Sequence, residues 1–244
     1  MKIFPSPGSW LRQLVRHLCG DDEFCYQALR RKFFVITARW CHLWDARQRR
    51  LLKKIRSGSG WSVSLGSGRR PFAGWLLVDA EPNGPENYLR HDLRRPLPFG
   101  DGTVERILIE HYFEHCEPRW EVPRLLAECR RVLREGGTLR IIVPDAGAYC
   151  RAYASGDAEQ WKRLGWEPGN LPADMPTAMS VLNHVFLQNG EHKAGWDFET
   201  LRLVLERAGF RDVERMAFGK SRDPGMTIDR PNHAPYSLYV EARK

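Results

Sequence analysis

Apolar residues along this chain follow two rhythms, and the change falls near residue 60. Before it, Trp10, Leu11, Leu14, Val15 and Leu18 recur at helical spacing opposite Arg12 and Arg16, with Gly20 as a stop. A longer helical stretch runs from about Glu23 to Arg56, carrying Phe24, Tyr26, Leu29, Phe33, Ile36, Trp40 and Trp44 ahead of a basic run. Ser57-Gly58-Ser59-Gly60 then punctuates the chain. The pattern therefore predicts a helical extension over residues 1–60 and a separate domain over residues 61–244.

Beyond the punctuation the apolar runs are short and β-branched. Strands are predicted at 62–65, 76–79, 88–91, 105–109 and 138–143, and each is stopped by a small, acidic or other polar residue. Val122, Leu125, Leu126, Cys129 and Leu133 form the stripe of a helix at about 120–133, with Gly136 near its end. Residues 146–196 read as a helix followed by an irregular insertion. A helix over 198–208 and strands at 210–217 and 238–242 follow, with a long polar loop at 219–235 that reads as a lid. Alternating strands and helices predict an α/β fold with a mostly parallel sheet. Only Ser67 to Gly74 separate the first two strands, whereas a parallel crossover usually takes a dozen or more residues.

Buried parallel strands deliver the residues at their carboxyl ends to one edge of the sheet, where ligands of open α/β folds bind. The residues so delivered are the turn Leu65-Gly66-Ser67-Gly68, Asp79-Ala80, Asp92-Leu93 and Glu110-His111. Gly66 and Gly68 allow a tight bend and a close ligand approach. A nicotinamide fingerprint would want a third glycine where Pro71 stands, which speaks against a dinucleotide enzyme.

The order continues through Pro96-Leu97-Pro98-Phe99, Asp101, Glu114-His115, Arg131-Val132-Leu133, Gly136-Gly137 and Val143-Pro144-Asp145. Taken together with Gly74-Trp75 and Val78-Asp79, it resembles the class I S-adenosylmethionine-dependent methyltransferases. More narrowly, it resembles the small type-11-like enzymes of bacterial surface-sugar pathways. The resemblance implies a Rossmann-like class I methyltransferase sheet whose last strands pair antiparallel. It implies S-adenosylmethionine as cofactor, bound by Leu65, Gly66, Ser67, Gly68, Asp79, Ala80, Asp92, Leu93 and Glu110. Asp79 would take the ribose hydroxyls, Asp92 the adenine amino group, and Glu110 would lie beside the methionine moiety. It also makes His111 and His115 the expected catalytic pair, His111 being the better base, and a sugar or small-molecule hydroxyl the expected acceptor. His184, His192 and Lys193 could join that acceptor's pocket, or be solvated loop residues. The Asn/Asp-Pro-Pro-Tyr motif of base and glutamine N-methyltransferases is absent after the fourth strand.

Composition changes this picture in two places. The net charge of +8 belongs to the first 60 residues, which hold 13 Lys and Arg against 4 Asp and Glu. Such a basic, aromatic segment could pack its apolar face on the domain and expose its charges. It could instead lie on an anionic membrane surface; nucleic acid is the less favoured partner. A non-catalytic protein of this fold, binding a membrane or polyanion through that segment, is the rival functional class. The six cysteines show no metal or disulfide spacing, and no signal or spanning segment is read, so a cytoplasmic protein is expected. The run His111-Tyr112-Phe113-Glu114-His115 matches the H-x-x-E-H peptidase pattern. It lies where the methyltransferase pattern already wants Glu-His, so no metal is expected.

Overall fold

A computed structural model describes residues 16, 17, 19, 20, 23–68, 72–82 and 84–244. Nearly all of the first expected helix, and Pro71, lie outside them. Seven strands form one sheet: β1 (Trp61–Leu65), β2 (Leu76–Asp79), β3 (Tyr88–Arg90), β4 (Val104–Glu110), β5 (Leu133–Pro144), β6 (Arg211–Met216) and β7 (Ser237–Arg243). Their spatial order is β3-β2-β1-β4-β5-β7-β6. The first five are parallel, and β7 runs antiparallel to both β5 and β6. This is the Rossmann-like sheet of class I methyltransferases. Ten residues separate β1 from its parallel partner β2, and Gly66, Gly68 and Gly74 among them take positive φ.

The register sets the site. Leu65 lies opposite both Val78 and Ile109, and Glu110 opposite Ile142, so the carboxyl ends of β1, β2, β4 and β5 align on one rim. One sheet face carries Leu65, Val78, Ile107, Ile109, Ile141 and Val143 against α3 (Glu121–Val132) and α7 (Phe198–Arg207). The stripe of α3, Val122, Leu125, Leu126, Cys129 and Val132, is at most 4% exposed. Each aliphatic side chain there stabilises by roughly 1.5–3 kcal/mol. The opposite face packs Leu77, Leu108, Ile142 and Tyr239 on Tyr88, Trp75 and Met226.

Three expectations change on folding. Residues 146–196 are not one helix and an irregular stretch: α4 (Ala146–Ser155) is followed by α5 (Ala158–Arg163) and α6 (Ala178–Leu187). These short helices close a small core of their own around Tyr149, Trp161, Leu164, Val181 and Val185. Asp145 caps α4 by accepting from the Ala148 N–H at 2.8 Å. The polar loop expected as a lid is instead a strap. Arg140, fully buried on β5, pairs with Asp229 of the loop and Glu241 of β7, each at 2.6 Å, while Met226 is fully buried and Arg106 holds Asp223 at 2.7 Å.

The third change concerns the basic segment. Helices α1 (Glu23–Trp40) and α2 (Ala46–Ser57) dock on the edge strand β3. The buried Gln48 donates to the Tyr88 carbonyl and accepts from the Arg90 N–H, closing an edge that would otherwise stay open. Yet among its described apolar residues only Ala38, Cys41 and Ile55 are buried. Phe33, Ile36, Trp40, Leu43 and Trp44 are exposed, rather than packed on the domain. No helix among the described residues is long and apolar enough to cross a membrane.

Candidate active site

The bend after β1 and the end of β2 meet as their residue types predict. The Gly68 N–H donates to Asp79 Oδ2 at 2.9 Å, and the Glu81 N–H donates to Oδ1 at 3.2 Å. Burial raises the Asp79 carboxyl above its ordinary range, against the pull of these backbone donors. Two backbone bonds still leave a carboxylate lone pairs for a diol. Gly66, at φ +69°, is needed for space as well as conformation: a Cβ there would meet the Tyr112 ring at 2.3 Å. Leu65 and Ser67 are buried, the Ser67 hydroxyl turning to the Gly68 carbonyl at 3.2 Å. The Ala80 carbonyl accepts from Arg90 at 3.3 Å.

Asp92 lies next along the rim and is buried. Arg39 of α1 approaches it at 2.8 Å and Arg94 at 2.9 Å. Burial would raise its carboxyl, but hydrogen bonds from Arg94 and then Arg39 outweigh this and hold it below the usual range. Beside it a cavity of about 290 Å³ is lined by Leu93, Arg39, Arg94, Tyr112, Trp120 and neighbours. Tyr112 thus touches both this cavity and the Gly66 bend.

Glu110, expected beside the cofactor's methionine end, holds partners on the strap. Its carboxylate meets Arg230 at 2.7 Å and His233 at 3.3 Å. Burial pushes it upward, and His233 and Arg230 bring it below its ordinary value. It thereby fixes one wall of a second, larger cavity.

That second cavity measures about 600 Å³ and is the histidine-rich part of the molecule. His111, Glu114, His115, His184, His192 and His233 line it, along with Tyr149 and Tyr236. His111 sits at φ +50°, a conformation that costs a non-glycine residue about 1–3 kcal/mol. Three bonds hold it there. Its N–H donates to the Ile142 carbonyl at 2.9 Å, Nδ1 meets Glu114 Oε1 at 3.0 Å, and Nε2 meets Ser237 Oγ at 2.9 Å. Because a carboxylate can only accept, Nδ1 carries the proton and Nε2 is the acceptor from the serine hydroxyl. His115 is turned to the Glu191 carbonyl at 3.2 Å, and its ring meets that of His192 at 4.9 Å. Burial lowers the His192 imidazole below its ordinary value. Lys193 does not join the lining; its ammonium reaches the Gly190 carbonyl at 2.7 Å on the surface.

Several residues here carry little or no signal in the sequence. Glu114 is visible only as part of a motif, and Ser237, His233, Tyr236 and Arg39 have no local signature. They are recruited by the strap, by the last strand and by α1, from more than 50 residues away.

Residues 76–141 match a family model described as a methyltransferase domain. That segment runs from β2 through β5 and carries Asp79, Asp92, Glu110 and His111. This part of the chain is similar to a methyltransferase domain, and the strand order of its sheet is that of the class I methyltransferase fold. A protein of Encephalitozoon cuniculi named as a methyltransferase is 26% identical over 172 residues, covering 69% of this chain and 80% of its own length. Among solved structures, an S-adenosylmethionine-dependent methyltransferase of Archaeoglobus fulgidus aligns at TM-score 0.48 and 20% identity. It covers 82% of this chain and 92% of that one. The Burkholderia thailandensis 1,6-didemethyltoxoflavin-N1-methyltransferase aligns at TM-score 0.45 and 16% identity, covering 90% and 88%. The cofactor expected for such a domain is S-adenosylmethionine. The rim fits it: a bend that admits no Cβ faces a half-buried carboxylate with lone pairs to spare, next to a cavity lined by Leu93 and by Arg39 and Arg94, the partners of Asp92.

Proposed function

We propose that this methyltransferase moves the methyl group of S-adenosylmethionine to a hydroxyl of a small or glycosidic acceptor held in the histidine-lined cavity. The observation that carries this is the chain from Glu114 through His111 to Ser237. A neutral amine already offers a lone pair and sheds its proton easily afterwards. A hydroxyl gains most from a base acting during the transfer, and a positioned base contributes roughly 10²–10⁴-fold.

When bound, the cofactor supplies a methyl carbon already activated by a positive sulfur. Gly66, Gly68 and Asp79 would hold its methionine and ribose parts, and Asp92 and Leu93 its adenine. The protein's own work is alignment and proton handling. His111 Nε2 takes the acceptor's proton, directly or through the Ser237 hydroxyl, while Glu114 fixes the ring's tautomer and stabilises the imidazolium. The strap, held by Arg140 and Glu110, forms one wall of the cavity through Asn232, His233 and Pro235.

Calorimetric titration with S-adenosylmethionine and S-adenosylhomocysteine tests the cofactor reading, and absence of binding by folded protein would overturn it. Transfer of a labelled methyl group to a panel of sugar and phenolic hydroxyls, alongside amines, tests the acceptor class. An ether product is expected; label found only on nitrogen would refute the hydroxyl assignment.

A further inference from the structure

Glu114 is 2% exposed, and only one of its two oxygens is engaged. Oε1 takes the proton of His111, while Oε2 is buried with no hydrogen-bond partner. A buried carboxylate oxygen left bare is costly, and native proteins rarely keep one without a function. Its surroundings supply the function. One ligand atom from each of Glu114, His115 and His192 lies within 4.8 Å of the others.

Both imidazoles are held as ligands usually are. His115 Nδ1 faces the Glu191 carbonyl at 3.2 Å and His192 Nδ1 the Val185 carbonyl at 2.6 Å. A carbonyl can only accept, so both rings carry their proton on Nδ1 and leave the Nε2 lone pair bare. That is the arrangement by which backbone oxygens orient metal-binding histidines. The two segments are also clamped together: the Lys193 N–H donates to the Glu114 carbonyl at 2.8 Å, and Arg31 pairs with Glu191.

We infer that Glu114, His115 and His192 form a site for a divalent transition-metal ion such as Zn²⁺. Two imidazoles and one carboxylate suit such an ion, whereas Mg²⁺ and Ca²⁺ prefer oxygen donors alone. Tetrahedral bonds of ~2.0–2.2 Å place donors ~3.4 Å apart, so modest side-chain rotations close the set. The ligands differ from those the H-x-x-E-H pattern names, because His111 turns to Glu114 and Ser237 and gives its place to His192 from the insertion. Three protein ligands leave a fourth position, and all three residues line the 600 Å³ cavity. If the proposed function holds, that position takes the acceptor oxygen and eases loss of its proton to His111. The methyl carbon then leaves sulfur, whose bonding pair stays behind as a thioether, and bonds to that oxygen. Ion binding itself does not depend on this reading.

The test uses the untagged full chain, stripped by chelator and titrated with Co²⁺ as a spectroscopic stand-in. One ion per chain is expected, with the visible absorption of a tetrahedral N/O site, competed away by Zn²⁺. His192→Ala and Glu114→Gln should each weaken it at least 100-fold while S-adenosylhomocysteine affinity stays within threefold. That second titration also reports that each variant is folded. Substoichiometric Co²⁺ binding by the wild type, or binding that folded His192→Ala retains, would overturn the site. Wild type that binds Co²⁺ but not S-adenosylhomocysteine would keep the metal site and remove the cofactor reading instead.

Discussion

The proposed cofactor rim and the histidine cavity are neighbours on one sheet edge, but they are built in opposite ways. The rim is made from residues close in sequence, Leu65 to Leu93, and leans on the backbone: a glycine bend donates an N–H to a strand-end carboxylate. The cavity is made from side chains brought together across long separations, His111 meeting Ser237 126 positions away. The first design tolerates little variation, because a Cβ at Gly66 collides with Tyr112. The second can be re-equipped by changing an insertion. On the proposed function, one part is fixed by the cofactor and the other is free to follow its acceptor.

Substitutions should separate the two regions. The largest effect is expected for His111→Ala, which removes the proposed base: turnover should fall roughly 10²–10⁴-fold. S-adenosylhomocysteine affinity should be unchanged by calorimetry. Turnover within threefold of wild type would take His111 out of the chemistry and blur the division.

Next comes the strap that roofs the cavity side. Arg140→Met leaves Asp229 and Glu241 buried without their shared cation, and breaking such a buried set costs roughly 3–5 kcal/mol. Urea unfolding should show the loss; a change below about 1 kcal/mol, the scale of an exposed ion pair, would mean that burial of Met226, not the ion pairs, holds the strap.

On the rim, Asp79→Ala should weaken S-adenosylmethionine about 10²-fold, since hydrogen bonds to a charged group contribute ~1.5–3 kcal/mol each. Acceptor specificity should stay the same. Equal binding by the variant would break the comparison at its root.

The smallest effect concerns pH. Asp92 is held below the usual carboxylate range, by Arg94 and Arg39 against the opposing effect of burial. A depressed folded-state pKa adds stability above the unfolded value and loses it as pH falls through the folded one. The wild type should therefore lose melting temperature faster than Asp92→Asn below about pH 4. Parallel melting curves across that range would show that the two arginines contribute little to folding.

How much could be read in advance divides along the same line. The placement of Gly66, Asp79 and Asp92 along one rim is legible because each follows or ends a strand, and the sheet lines those ends up. The place of Glu110 at the end of β4 is legible but its partners are not, since Arg230 and His233 come from a loop whose path no periodicity encodes. The insertion reads as irregular because α5 has only six residues, too short to establish a helical period, and it is stabilised by packing Trp161 into a core shared with Tyr149.

The sequence alone determined the order of short β-branched strands, the glycine bend and the acids beyond them; alternation and backbone freedom act over a few residues at a time. The tertiary structure decided which side chains face each other across the cavity and what tautomer His111 holds. It also decided that the strap is fixed and that Glu114 has an oxygen to spare. Those outcomes depend on distances between segments far apart in the chain, and only the packed sheet sets them.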